Sequence, residues 1–133
     1  MTTVKMVEYE DAEGEVKALF DEIMAAREID FVPNVWKTLA THPPTLRRIW
    51  DGLGVVMAPG RLDRLTKEMI AIAVSATNGC EYCVASHTGA ARKLGMDDEM
   101  LGELMAVVGM FNQTNRLATG YQIEIDAQYK DTG

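Results

Sequence analysis

Apolar residues recur at intervals of three and four along nearly the whole chain, which is the pattern of amphipathic helices. The first stripe is Val16, Leu19, Phe20, Ile23 and Met24, and Asp11 upstream is a candidate N-cap. Phe31-Val32-Pro33 interrupts it. Asn34 then offers a cap for a short helix carrying Val35, Trp36, Leu39 and Ala40. His42-Pro43-Pro44 is the next break, because proline starts or ends helices and does not continue them. A helix over Thr45 to Met57 follows, with Leu46, Ile49, Trp50, Leu53, Val56 and Met57 as its apolar stripe, and Pro59-Gly60 closes it.

In the second half, Leu62 or Asp63 opens a helix that runs to about Thr77. From Met69 onward it carries no charge, which predicts burial on most sides. Asn78-Gly79 is a strong turn signal. The next helix begins near Cys80 and ends at Gly95, a suitable terminator after Lys93-Leu94. Asp97 caps a helix through Leu101, Leu104, Met105 and Val108, with a bend predicted at Gly109. A last segment from Phe111 to Thr119 stops at Gly120. Tyr121 to Gly133 reads as a tail with Ile123 and Ile125 as its aliphatic anchors. No strand-like alternation of convincing length occurs. The expectation is an all-α fold, a helical bundle formed by a single domain over residues 1–133, with a motif core at 62–95 and a tail at 121–133.

Composition narrows the function. With 133 residues and 47% hydrophobic content the chain can build a core, and disorder is excluded. A net charge of −7 argues against nucleic acid and anionic membranes as partners, since both need a basic face. The longest apolar run is too short to cross a bilayer, and no signal-peptide pattern opens the chain. A reducing, cytoplasmic location is therefore expected, where a close thiol pair is more often redox-active or metal-binding than a static staple. The broad apolar helix faces, Met69 to Ala76 above all, exceed what a domain of this size can cover alone. A homo-oligomer is expected, and the Met-rich stretch from Met96 to Met110 reads as core or subunit interface.

The chemistry concentrates between Glu68 and His87. Cys80 and Cys83 form a C-x-x-C pair, and His87 follows one turn later. At about 100° per residue, Cys83 lies about 60° from Cys80 and His87 about 40° from Cys83, so all three share one stripe. Cys80 sits in the first turn, where free N–H groups and the positive helix end favour a thiolate. A C-x-x-C setting typically lowers one thiol pKa from ~8.5 towards ~7. Glu68 stands about three turns before the Asn78-Gly79 turn, and His87 about two turns after it. A tight turn can therefore bring carboxylate and imidazole together, and a Glu–His–Cys proton path follows.

This E-x11-C-x2-C-x3-H spacing, with Asn78-Gly79 just before the first cysteine, resembles the core of alkylhydroperoxidase D (AhpD)-like proteins, within the carboxymuconolactone decarboxylase superfamily. Phe31 to Asn34 and Leu62 to Lys67 resemble its single-domain, peroxidase-related members. The resemblance implies an all-helical fold and assembly as trimers or hexamers. It implies a thiol-dependent alkyl hydroperoxide reductase, with no cofactor and no metal. Its substrate would be a hydroperoxide, and a lipoyl- or thioredoxin-like dithiol would reduce it again. Carried over, Cys83 is the thiol that attacks peroxide, Cys80 the one that resolves it, and His87 and Glu68 form the proton relay. Where the best-studied members have a second histidine between the cysteines, this chain has Tyr82. Other readings are a carboxymuconolactone-decarboxylase-like enzyme, which does not need the thiol pair, and a non-enzymatic redox sensor or binding module. A Cys2His zinc site would need His42 or an acid as fourth ligand. Two structural cysteines, or Glu68 paired with Arg64 one turn before it, are the plainest alternatives.

Overall fold

Asp63 and Asp97 start helices by the same device. Each has extended backbone and a side chain that accepts an N–H from the first turn, Thr66 at 2.8 Å and Met100 at 2.8 Å. In the computed structural model, which describes residues 1–130, the helices they open are α4 (Arg64–Asn78) and α6 (Asp98–Gly120). Between them runs α5 (Glu81–Lys93). Before them come α1 (Gly14–Arg27), α2 (Asn34–Leu39) and α3 (Pro43–Met57), and after them α7 (Ala127–Lys130). The described residues contain no strand, so the fold is all-α.

The chain divides into two compact units, residues 1–58 and residues 59 onward. The first holds a core of Leu19, Phe20, Ile23, Trp36 and Leu46, to which Trp50 adds an edge-to-face contact on Trp36 at 5.3 Å. Three of these come from the expected stripe of α1. Asp11 does not cap α1 as expected. It lies in a 3-10 turn, Tyr9–Asp11, and a wound residue cannot also supply the extended backbone of a cap. Pro33, not Asn34, precedes α2, and its carbonyl accepts the N–H groups of Trp36 and Lys37. Helix α3 begins at Pro43 rather than Thr45, because first-turn positions have no intrahelical acceptor for the N–H that proline lacks.

The second unit carries the candidate chemistry. Ile72, Ala91 and Met96 form its core, joined by Leu65, Met69, Met100, Leu101, Leu104 and Met105. Of the Met-rich stretch, Met96, Met100 and Met105 thus pack inside, whereas Met110 is exposed. Helix α6 continues unbroken through Gly109 and Phe111 to Gly120, in place of the two segments expected. An interior glycine costs a helix about 1 kcal/mol, which the surrounding hydrogen-bond ladder can bear. The expected all-round burial of α4 does not occur within the chain: Ile70 is 48% exposed and Val74 54%. Ile123 and Ile125 are likewise exposed and anchor nothing, and the expected tail contains α7. Its last residues, 131–133, lie outside the described residues. Among the described residues, no helix is long and apolar enough to cross a membrane.

Candidate active site

Two residues, Gly79 and Cys80, join the end of α4 to the start of α5. Gly79 adopts the left-handed conformation, φ +75°, that a side chain would disfavour. Its N–H bonds the Ala76 carbonyl at 3.3 Å, and the Cys80 N–H bonds the Ser75 carbonyl at 2.9 Å. This pair of bonds is a Schellman motif, and it fixes the direction in which the chain leaves α4. Cys80 then serves as N-cap of α5, its Sγ accepting the Cys83 N–H at 3.2 Å. The sulfur stands where serine or aspartate usually stands, facing the free N–H groups and the positive end of the helix. Cys80 and Cys83 are joined as a disulfide, with Cα atoms 5.3 Å apart.

Behind the disulfide, the turn folds α5 back against α4. Glu68 and Ile72, one turn apart, are the buried residues of α4. Glu68 is only 4% exposed, and a carboxylate taken out of water needs a partner. That partner is His87, whose Nδ1 lies 2.7 Å from Glu68 Oε2. With Glu68 ionised, the bond needs the hydrogen on Nδ1 and leaves Nε2 to take up or release a proton. His87 is half-buried and stands one turn along α5 from Cys83. The structure therefore bonds Glu68 to His87 across the α4–α5 turn and Cys80 to Cys83 at the start of α5, with His87 one turn beyond Cys83 in the helix. His42 lies elsewhere: it precedes α3 as N-cap, exposed, with its ring nitrogen 2.8 Å from Thr45 Oγ1. Tyr82 is exposed. Among the described residues, no group of three or more His, Cys, Asp or Glu side chains is placed to hold a metal ion.

Sequence reasoning missed a groove of about 500 Å³ beside the disulfide. Its walls are Ala76 from α4, Val84 and Ala85 from α5, and Leu101 and Met105 from α6. Cys80 and Glu81 also line it. The spacing of Cys80, Val84 and Thr88 marks only its α5 wall, a second face next to the thiol stripe, and carries no signal for the α6 wall.

The same arrangement can be set beside known proteins. Residues 43–123 match the carboxymuconolactone decarboxylase family. The crystal structure of the alkylhydroperoxidase AhpD core from Rhodospirillum rubrum superposes with a TM-score of 0.92 at 45% identity, covering 97% of each chain. Uncharacterized protein 4 in the cox locus of Paracoccus denitrificans is 40% identical over 53 residues, 40% of this chain and 48% of its own. The alkyl hydroperoxide reductase AhpD of Streptomyces griseus is 32% identical over 75 residues, 56% of this chain and 39% of its own. The chain thus spans less than half the length of these two curated relatives. A disulfide-bonded C-x-x-C pair, the matched residues and the near-complete superposition agree: the chain belongs to the carboxymuconolactone decarboxylase family and is AhpD-like.

Proposed function

We propose that this chain is a thiol-dependent alkyl hydroperoxide reductase. The observation that carries the proposal is the Cys80–Cys83 disulfide at the start of α5, backed by the buried Glu68–His87 bond. The reduced pair would act as follows. The Cys83 thiolate attacks the terminal oxygen of the hydroperoxide, an S–O bond forms, the O–O bond breaks, and the alkoxide leaves as alcohol after taking a proton. His87 is the group one turn away that can hold and return that proton, with Glu68 keeping its ring oriented. The Cys80 thiol then condenses with the Cys83 sulfenic acid, water leaves, and the disulfide closes. A dithiol of lipoyl or thioredoxin type restores the pair by exchange, with no further cofactor. The working form is a homo-trimer or homo-hexamer. Its unit is one domain over residues 1–133, a reading supported by the 97% cover of the AhpD core structure.

Stopped-flow oxidation of the reduced protein with a panel of hydroperoxides, followed by mass mapping of the Cys80–Cys83 peptide, tests this. The expected result is saturable oxidation and a two-proton mass loss on that peptide. Oxidation no faster than that of free cysteine would overturn it.

A further inference from the structure

Helix α6 passes into a segment whose apolar side chains its own chain leaves open. At the helix end the Gln122 N–H bonds the Thr119 carbonyl at 3.1 Å and the Ile123 N–H bonds the Ala118 carbonyl at 3.1 Å, a second Schellman motif. Its left-handed residue is Gln122, φ +50°, where glycine is usual. These bonds fix the direction in which residues 123–126 leave the helix, and those residues are neither helix nor turn. Tyr121, Ile123 and Ile125 alternate with Gln122, Glu124 and Asp126, the pattern of an extended segment with one apolar and one polar side. Tyr121 is 77% exposed, Ile123 64% and Ile125 65%. The apolar side continues a stripe on α6 itself. At about 100° per residue, Val107, Met110, Phe111, Leu117 and Tyr121 fall within about 120° of one another, and all are exposed.

We propose that residues 121–126 are an exchange arm. The arm of one copy of this chain lies across the exposed face of α4 and α6 in a second copy, with Ile123 and Ile125 against Ile70, Val74 and Phe111. The inference deepens the assembly part of the reading above and rests on that part, not on the thiol chemistry. Copies that meet along the α6 stripe place the arm at the end of one stripe beside the open face of the other. The contact joins unlike surfaces, so each copy gives one arm and takes one, and the set closes as a ring or a reciprocal pair.

Three observations favour a second copy as the occupant. Both open surfaces, arm and helix face, belong to the same chain, so copies cover both at once, whereas one foreign partner would cover one and leave the other wet. Charge permits the contact. The chain carries −7 overall, yet neither residues 69–78 of α4 nor residues 104–115 of α6 hold a charged side chain, so an acidic arm lands there without meeting a carboxylate. With the apolar side turned inward, Glu124 and Asp126 face water and no charge is buried. Area asks for the arm. A stable contact buries on the order of 800 Å² per partner, more than the open side chains of α4 and α6 supply. The arm adds on the order of 300 Å² of apolar surface to what each copy can bury.

A photo-cross-linker tests the placement. Full-length chains with benzoylphenylalanine in place of Ile125, half of them heavy-isotope labelled, are mixed in urea, refolded together, irradiated and mapped by mass. The expected cross-links join the probe to residues 70–74 or 107–111, and mixed-isotope pairs show that they run between chains. Cross-links within single chains only, or to other segments, would overturn the proposal. Point variants give a second reading that needs no probe. Ile123→Asp combined with Ile125→Asp should weaken assembly at least about tenfold in a light-scattering dilution series, with helix content by circular dichroism unchanged. Glu124→Gln, on the side turned to water, should leave assembly as it is. Unchanged assembly in the double variant, or loss of it in Glu124→Gln, would overturn the arm. A monomeric native chain would sink the assembly reading itself, whereas an intact oligomer whose probe cross-links elsewhere would sink this inference alone.

Discussion

At the scale of single residues, Glu68 and His87 are the pair whose roles can be separated by experiment. Glu68 is buried, and its carboxylate has His87 as hydrogen-bond partner at 2.7 Å. Removing the imidazole leaves a charge in a poor solvent, whereas Glu68→Gln keeps size and hydrogen-bonding capacity. His87→Ala should therefore cost about 1–3 kcal/mol in urea unfolding, and Glu68→Gln less. Equal losses would mean that the pair contributes by packing alone. Activity should order the variants differently. Glu68→Gln removes the charge that orients His87 and supports an imidazolium beside Cys83. Turnover should fall near neutral pH and partly recover in more alkaline buffer, where the thiol ionises unaided; an unchanged pH profile would make Glu68 a structural charge only. The thiols should also fail differently. Cys83→Ser should abolish the first oxidation, and Cys80→Ser should permit it but leave a sulfenic acid that over-oxidises, read as added oxygen mass on Cys83. The reverse pattern would exchange their roles. This cluster was legible in the sequence, because helical spacing and a two-residue turn leave few ways to place Glu68, Cys80 and His87. The groove was not, because Leu101 and Met105 reach it from α6, and no local spacing reports how α6 packs on α5.

At the scale of elements, the joint between α4 and α5 sets the geometry of the site. Gly79 has nothing within 4 Å of an added Cβ, so Gly79→Ala would clash with no neighbour. Its cost is the left-handed backbone, about 1–2 kcal/mol. The strain falls one residue before Cys80, so a loss of oxidation rate beyond the loss of stability is expected. A variant with normal rates and normal melting would show that the turn has other solutions. At the far end of α4, the Thr66 backbone N–H, helped by the Thr66 side chain, holds the Asp63 carboxyl below the usual aspartate range. The folded value is lower than the unfolded one, so the cap's contribution is fully present above the unfolded value. It is lost as pH falls through the folded value. Melting temperature should thus drop on acidification below about pH 4, and Asp63→Asn should flatten that part of the curve. An unchanged acid limb would mean that the cap does not limit stability there. Caps of this kind were readable because the side chain makes the bond. At Asp11 and Asn34 the reading failed, because a 3-10 turn and the Pro33 carbonyl start those helices by backbone alone.

At the scale of the whole molecule, the question is what covers the apolar surface that the chain leaves open. Sequence periodicity located the apolar face of α4 but could not say whether this chain or a second copy would cover it. Within the chain, Ile70 and Val74 stay exposed one turn apart on α4. On α6, Val107, Met110 and Phe111 stay exposed at helical spacing, Phe111 by 58%. Covering the remaining half of each would contribute about 1 kcal/mol per side chain. Association costs at least about 4 kcal/mol in lost freedom, so these side chains alone roughly break even. A stable assembly must bury more, on the order of 800 Å² per partner. The interface is then finely balanced, and one well-placed charge should undo it. Light scattering of the native chain at micromolar concentration should give three or six times the 14.7 kDa chain mass. Phe111→Glu should shift it towards the monomer, while Tyr82→Glu, at a residue exposed outside these faces, should not. A monomeric native chain would overturn the oligomer. An intact oligomer in Phe111→Glu would move the interface off this part of α6, leaving the Ile70–Val74 side of α4 as the surface to test next.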